Sequence, residues 1–386
     1  MNLSMLSFTS PFAKGRSFPL LILLATLGAL LAGCGGGGSS GSTSGASAGT
    51  NYPVSSYVHI AATPNPNVFP LLLALAQNPN LPASLTPVAS SNDAVTALTS
   101  GTAEALLSMT YTAAQYATGN VPGLELVSVN FWSGFWMLAP QTATITQFSQ
   151  LAGKGVLVSG PTSGGKGGGP DLIFQAAAKR AGLTASSFNL CYLPVMQAAP
   201  MMLQQQSMNS NSSCNAAYTA APTAISLVEP AATGLMMDSQ TSGGSSGLMV
   251  KAINFQSLFT GYSAWPQTEL PHGGISVMNA LINDSSRQAQ LQAVLSAYRS
   301  AADSIMAAKG NPAAMSQIAN TISAGITTYY GQYGLSIPPQ AISAALMSGD
   351  FVFRTDLPIS SIQTDLDSFL TEVAGTQPSG SFYHQM

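Results

Sequence analysis

The stretch "SSNDAVTALTSGTAEALLSM", residues 90–109, decides the fold class. Ser90, Ser91 or Asn92 can cap a helix through a side-chain oxygen, "DAVTALTS" carries that helix, and Gly101 stops it. "AEALLSM" then reads as a buried strand. The same alternation holds upstream. "YVHIAA" (57–62) reads as a strand, Pro64 and Pro66 punctuate a turn, "VFPLLLALAQ" (68–77) is a short buried helix, and "LTPVAS" (85–90) is a second strand. Strands and helices in this order predict an α/β fold with parallel strands covered by helices.

Downstream, "LELVSVN" and "FWMLAP" are extended segments, with Phe131, Trp132, Phe135 and Trp136 clustered between and within them. A second alternating series begins after Pro140. Its strands are "GVLVS", "FNLCYLP", "TAISLVEP" and "LMVKAI", and its helices are "PDLIFQAAAKRAGL" and "QAAPMMLQQQ". From about Gly274 the chain is expected to be mainly helical, with "RQAQLQAVLSAYRSAADSIMAA" the clearest amphipathic stretch. No repeat of solenoid period is present.

The beginning of the chain leads us to expect this domain outside the cytoplasm. Lys14 and Arg16 precede the short apolar run "FPLLILLATLGALLAG", the pattern of an export signal over residues 1–33. Leu31-Ala32-Gly33-Cys34 resembles the bacterial lipobox, which implies cleavage before Cys34 and lipidation of that residue. Residues 34–54 are a Gly/Ser tether, too polar and flexible to pack a core. Charged residues make up 6% of the chain, against roughly 25% in typical soluble domains. With Lys14 and Arg16 removed along with the leader, 9 basic and 14 acidic residues remain, a formal net charge of −5. No basic patch points to nucleic acid. An acidic exterior, where carboxylates are largely protonated, is one setting that would suit so few charges. Apart from Cys34, the cysteines are Cys191 and Cys214. They are either a disulfide or two free thiols, and an oxidising compartment favours the disulfide.

The order of segments resembles the type 2 periplasmic solute-binding proteins of ABC importers, in their nitrate/sulfonate/taurine-like branch. The resemblance rests on the helix and Gly-x-x-acidic strand at Gly101 and Glu104, and on "FSQLAGKGVLVSGPTSGG", similar to the turn, strand and loop that open the family's second domain. It rests also on "SLVEPAATGL" near the cleft, and on "NPAAMSQIAN" and "PPQAISAAL" among the C-terminal helices. Gln150 and Glu104 stand where the family usually has Asp, and "SMNSNSSCNAAYTAAP" interrupts the second half. The resemblance implies two lobes, each a mainly parallel sheet flanked by helices, with the ligand between them. Residues 55–138 and 265–386 would form lobe 1, and residues 139–264 lobe 2. It also implies a non-enzymatic partner of a membrane permease and its ATPase, anchored through Cys34, with a small anion such as a sulfonate or nitrate as ligand. The alternatives in the same fold are a sensor or scaffold lipoprotein and a binder of a thiamine-precursor pyrimidine.

In such folds ligands sit beyond the carboxyl ends of strands, where helix N-termini converge. The loops at those places contribute Thr63, Ser91, Asn92, Thr110, Tyr111, Thr162, Ser163, Gly164 and Gly165. Trp132 and Glu229 complete the candidate set. "GPTSGGK" (160–166) has the spacing of a nucleotide-binding P-loop, but Gly167 stands where magnesium would need Ser or Thr. Its glycines let backbone N–H groups face an anion instead. Lys166 either adds a charge or faces solvent. His59, His272 and His384 have no metal-ligand spacing, and no nucleophile elbow, paired-acid motif or cofactor motif is present.

Overall fold

The computed structural model describes residues 56–385 apart from 161, 163, 164, 243 and 244. The leader, Cys34 and the tether lie outside the described residues, as do Ser163 and Gly164. The first units follow the sequence closely. β1 (Val58–Ala62) is followed by α1 (Phe69–Gln77), β2 (Ala83–Pro87), α2 (Ser91–Thr99) and β3 (Ala105–Met109). Ser90 is the cap. Its side chain accepts from Asp93 N (3.2 Å) and Asp93 Oδ2 accepts from Ser90 N (2.9 Å), a reciprocal box at the start of α2. β2 therefore ends at Pro87, ahead of the expected 85–90 strand, because Ser90 serves the helix. α3 (Thr110–Thr118) starts directly at the end of β3 and leads to β4 (Leu124–Ser133).

β5 (Phe135–Pro140) begins the second sheet. It is followed by β6 (Gly155–Gly160), α4 (Gly169–Arg180), β7 (Asn189–Pro194), α5 (Val195–Leu203), β8 (Ala224–Val228), α6 (Ala231–Ser242) and β9 (Met249–Asn254). β10 (Pro271–Met278) returns to the first sheet. The remainder is α7 (Asn279–Ile282), α8 (Gln288–Ala307), α9 (Pro312–Tyr330), α10 (Pro339–Ser348), β11 (Phe351–Phe353) and α11 (Ile359–Ala374). No helix among the described residues is long and apolar enough to cross a membrane.

The six-stranded sheet has the order β11-β4-β10-β3-β1-β2 and the five-stranded sheet β7-β6-β8-β5-β9. Both are mixed. β1, β2 and β3 are mutually parallel, as are β6, β7 and β8, and the remaining pairs are antiparallel. The expected parallel run thus forms one side of each sheet. β10 departs from the expectation of helix after Gly274. Pro271, His272, Gly273 and Gly274 are poor strand formers, and the packing overrides them. No Cβ fits at Gly274, which faces the Ser128 carbonyl and the Leu126 side chain.

The expected lobe boundary at 138/139 falls inside β5, which pairs with β8 and β9 in the second sheet. The chain crosses earlier, at Ser133 and Gly134, whose φ values of 67° and 106° turn it. Ser133-Gly134 interrupts the aromatic cluster at this turn, but the aromatics on its two sides gave no sign that they belong to different sheets. The second crossing occupies residues 255–270, between β9 and β10.

One buried core runs through both lobes without a break. Phe135 lies 4.8 Å from the His272 ring, and Phe255 and Phe148 continue the cluster into the second lobe. A second cluster covers the other face of the five-stranded sheet. Cys191, fully buried in β7, is disulfide-bonded there to Cys214 in the polar insertion. The amphipathic pattern of α8 is regular, with Leu291, Val294, Leu295, Tyr298, Ala302 and Ile305 on one buried stripe.

His272 is fully buried among Tyr111, Phe131, Phe135 and Phe369, and neither ring nitrogen has a partner among the described residues. Burial lowers its pKa to about 3. An unfolded imidazole takes its proton near about pH 6.5. Below that value the unfolded state binds a proton that the native state refuses, so stability falls as pH falls. The contribution is complete above about pH 6.5 and, by about pH 3, a loss on the order of 4–5 kcal/mol is expected. Urea unfolding at neutral pH and at about pH 4 should show that His272→Leu loses less stability on acidification than the parent. Equal losses would remove His272 as the cause.

Candidate ligand cleft

The carboxyl ends of β1, β2 and β3 meet those of β6 and β8 across the lobe junction. A small cavity of about 60 Å³ lies there, lined by Thr63, Ser91, Thr162 and Gly165 among others. These four are the sequence candidates that the structure brings together. Thr162 and the start of α4 rest on lobe 1 beside this space. Thr162 Oγ1 donates to the Ala89 carbonyl at 2.5 Å, and a Cβ on Gly169 would stand 2.9 Å from Met109 Cγ. The loop's glycines therefore permit the close approach of two lobes.

The remaining candidates lie elsewhere. Asn92 is exposed on α2. Thr110 is fully buried and donates to the Pro271 carbonyl at 2.5 Å, joining α3 to β10. Tyr111 packs edge-on against His272 and Phe369, and Trp132 against Trp265. Both are fully buried and line neither cavity. Their positions beside strand ends suggested the cleft. The second crossing and α11 cover them instead, and sequence order did not reveal that.

The P-loop-like stretch has its own counter-charge. Asp171, in the first turn of α4 and only 2% exposed, accepts from Gly167 N at 2.8 Å and from the Tyr192 hydroxyl at 2.9 Å. A carboxylate thus already occupies the favourable end of the helix dipole. Asp93 does the same for α2. Lys166 is exposed, its Nζ 5.9 Å above the Tyr192 ring. No Lys, Arg or His is among the described residues that line either cavity.

The larger cavity, of about 230 Å³, adjoins the small one and shares Asn65, Gly160 and Val228 with it. Phe69 of α1, Ala341 of α10 and Ile337 in the loop before α10 wall it from lobe 1, while Met196 of α5 and Leu235 of α6 wall it from lobe 2. α6 and α10 approach closely, with a Cβ on Gly234 only 3.7 Å from the Ala341 Cβ. Glu229, the one candidate among the described residues that reaches this cavity, is fully buried. Its carboxylate pairs with Lys251 and accepts from Thr233 N at 3.1 Å. Burial pushes its pKa up, and Lys251 and Thr233 oppose that rise. Sequence reasoning missed the apolar walls. The only signal was the position of the apolar loop "LSIPP", between two C-terminal helices.

If Gly169 sets how closely the lobes meet, Gly169→Val should hold them apart. Circular dichroism should be unchanged, since the site is a helix start with ordinary φ. The radius of gyration in small-angle X-ray scattering should rise. An unchanged radius would mean that Met109 moves aside and the loop does not set the closure.

No protein-family model matches the sequence, and no curated protein matches it. Solved structures do match. The periplasmic aliphatic sulphonate-binding protein SsuA of Escherichia coli is 14% identical with a TM-score of 0.55, over 83% of this chain and 86% of that one. The ligand-binding component of an ABC-type import system from Staphylococcus aureus, solved with zinc bound, is 11% identical with a TM-score of 0.56, over 85% and 96%. The alkanesulfonate-binding protein SsuA of Xanthomonas axonopodis pv. citri, bound to MOPS, is 14% identical with a TM-score of 0.52, over 86% and 99%. Two mixed sheets, two crossings and a cavity at their junction are thus the fold of the periplasmic solute-binding proteins.

Proposed function

We propose that this chain is the solute-binding component of an ABC importer, exported, anchored through a lipid on Cys34, and handing a small molecule to the permease and its ATPase. The observation that carries the reading is the cavity of about 230 Å³ walled by both lobes. A ligand there touches both lobes only when they are together, so binding shifts the population towards the closed form. The permease would recognise that form. The sulfonate-binding neighbours lend support to a small anion as ligand. Against that, the described lining offers such an anion no cation, and at the smaller cavity the first turns of α2 and α4 already carry Asp93 and Asp171. The importer role does not depend on the ligand's charge.

A thermal-shift screen of sulfonates, nitrate, bicarbonate, phosphonates, thiamine precursors and neutral or basic aromatics should find a stabilising compound. Gly234→Leu, which fills the cavity beside α10, should then weaken that compound by at least about tenfold, as loss of the contacts of one small pocket typically does. Retained affinity in a folded variant would place the ligand elsewhere. Anchoring is checked separately. Cys34→Ala should release the domain from the membrane fraction or leave the precursor uncleaved, and unchanged membrane retention would end the lipoprotein reading.

A further inference from the structure

Resting on the solute-binding reading, we infer that the ligand is a mainly apolar molecule carrying one amino group, and that Asp238 receives that group. The polar side chains inside the larger cavity are committed to the protein. Asn65 Oδ1 accepts from Asn67 N at 2.9 Å and its Nδ2 donates to Thr63 Oγ1 at 2.9 Å. Ser159 Oγ donates to the Leu193 carbonyl at 2.9 Å. Glu229 is tied to Lys251 and Thr233. What remains inside is the apolar wall. At the rim stand Ser336 and Asp238, both exposed.

Asp238 lies on α6 four residues after Gly234 and three after Leu235, so all three share the helix face that lines the cavity. Its carboxylate has no ion pair or hydrogen bond among the described residues. An ionised carboxylate only accepts hydrogen bonds. Beside an apolar space without cations it repels a sulfonate or carboxylate, gains little from a hydroxyl, and gains most from an ammonium group. Size sets the rest of the molecule. A dry apolar cavity of about 150 Å³ takes a benzene ring. A space of about 230 Å³ therefore suits a ring or branched aliphatic group with a short amine arm.

The test uses the mature chain and four matched probes in calorimetric titration: 2-phenylethylamine, 2-phenylethanol, 3-phenylpropanoate and phenylmethanesulfonate. The amine should bind about threefold to fivefold more tightly than the alcohol, in keeping with one exposed charge pair, and both anions should bind more weakly than the alcohol. In Asp238→Asn the preference for amine over alcohol should fall to within about twofold. Equal binding of amine and alcohol by the parent, tightest binding of the sulfonate, or a preference that survives in Asp238→Asn would each overturn the assignment and leave the solute-binding reading standing. Failure of the amine to bind at all would overturn it too. The solute-binding reading is judged independently, by whether Gly234→Leu weakens whichever compound the screen finds.

Discussion

The ammonium group of Lys251 ties the two sheets together at the wall of the cavity. It stands in β9 and pairs with Glu229 at the end of β8, while its Nζ is 2.5 Å from Asp350 Oδ2, just before β11 in the other sheet. It also donates to Thr233 Oγ1 at 3.1 Å, and the Trp136 ring centre lies 5.2 Å away. Without the ammonium, a fully buried carboxylate would be left unpaired, which typically costs about 3–5 kcal/mol. Glu229 can therefore end its strand inside the protein only because Lys251 is there, and through Asp350 the same ammonium reaches the segment between α10 and β11. On the opposite side of the junction Arg180 plays the corresponding part. It grips Glu372 of α11 at 2.5 and 2.7 Å and donates to the Leu258 and Thr260 carbonyls of the second crossing.

A chain with 6% charged residues has few charges to place. Several of them join segments distant in sequence. Arg354 pairs with Glu269 of the second crossing, and Arg287 pairs with Glu104 and also donates to the Tyr57 carbonyl. Glu104, part of the family-like strand pattern, thus has a structural partner in the C-terminal half. The same economy explains the P-loop likeness. Its spacing brings glycines to a helix start, but Asp171 supplies the negative charge internally, and the glycines let the loop rest on Met109 and Ala89. An acid in the first turn competes with an outside anion for the same helix end.

The local signals in the sequence read well where one element depends on itself. The cap at Ser90, the stop at Gly101, the alternation of β6, α4 and β7, and the stripe of α8 all follow from short-range patterns. What could not be read depended on distant partners. β10 looks unlike a strand because its glycines answer to Phe131, Leu126 and Ser128 across the sheet. The crossing at Ser133 and Gly134 lies between two aromatic pairs, and only the pairing of β4 and β5 with distant strands assigns them to different sheets. Thr63, Ser91, Thr162 and Gly165 came together because strand ends in such a fold converge. Tyr111 and Trp132 did not join them, since Phe369 and Trp265, some 250 and 130 residues away by their numbers, cover them. The walls of the larger cavity come from α1, α5, α6 and α10, a set that only the completed fold assembles.

In the proposed solute-binding role, closure and selectivity would rest on different parts of the junction. The Thr162–Ala89 bond, the glycine-rich loop and the two cations make contacts between lobes that require no ligand. The small cavity among the sequence candidates, at about 60 Å³, leaves little room for one. The larger cavity has room, and its apolar lining loses dispersion contacts while the space is unfilled. A molecule of matching size restores those contacts on both lobes at once. On the proposed reading, the clasps set how readily the lobes meet, and the fit between α5, α6 and α10 would decide which solute stabilises the meeting.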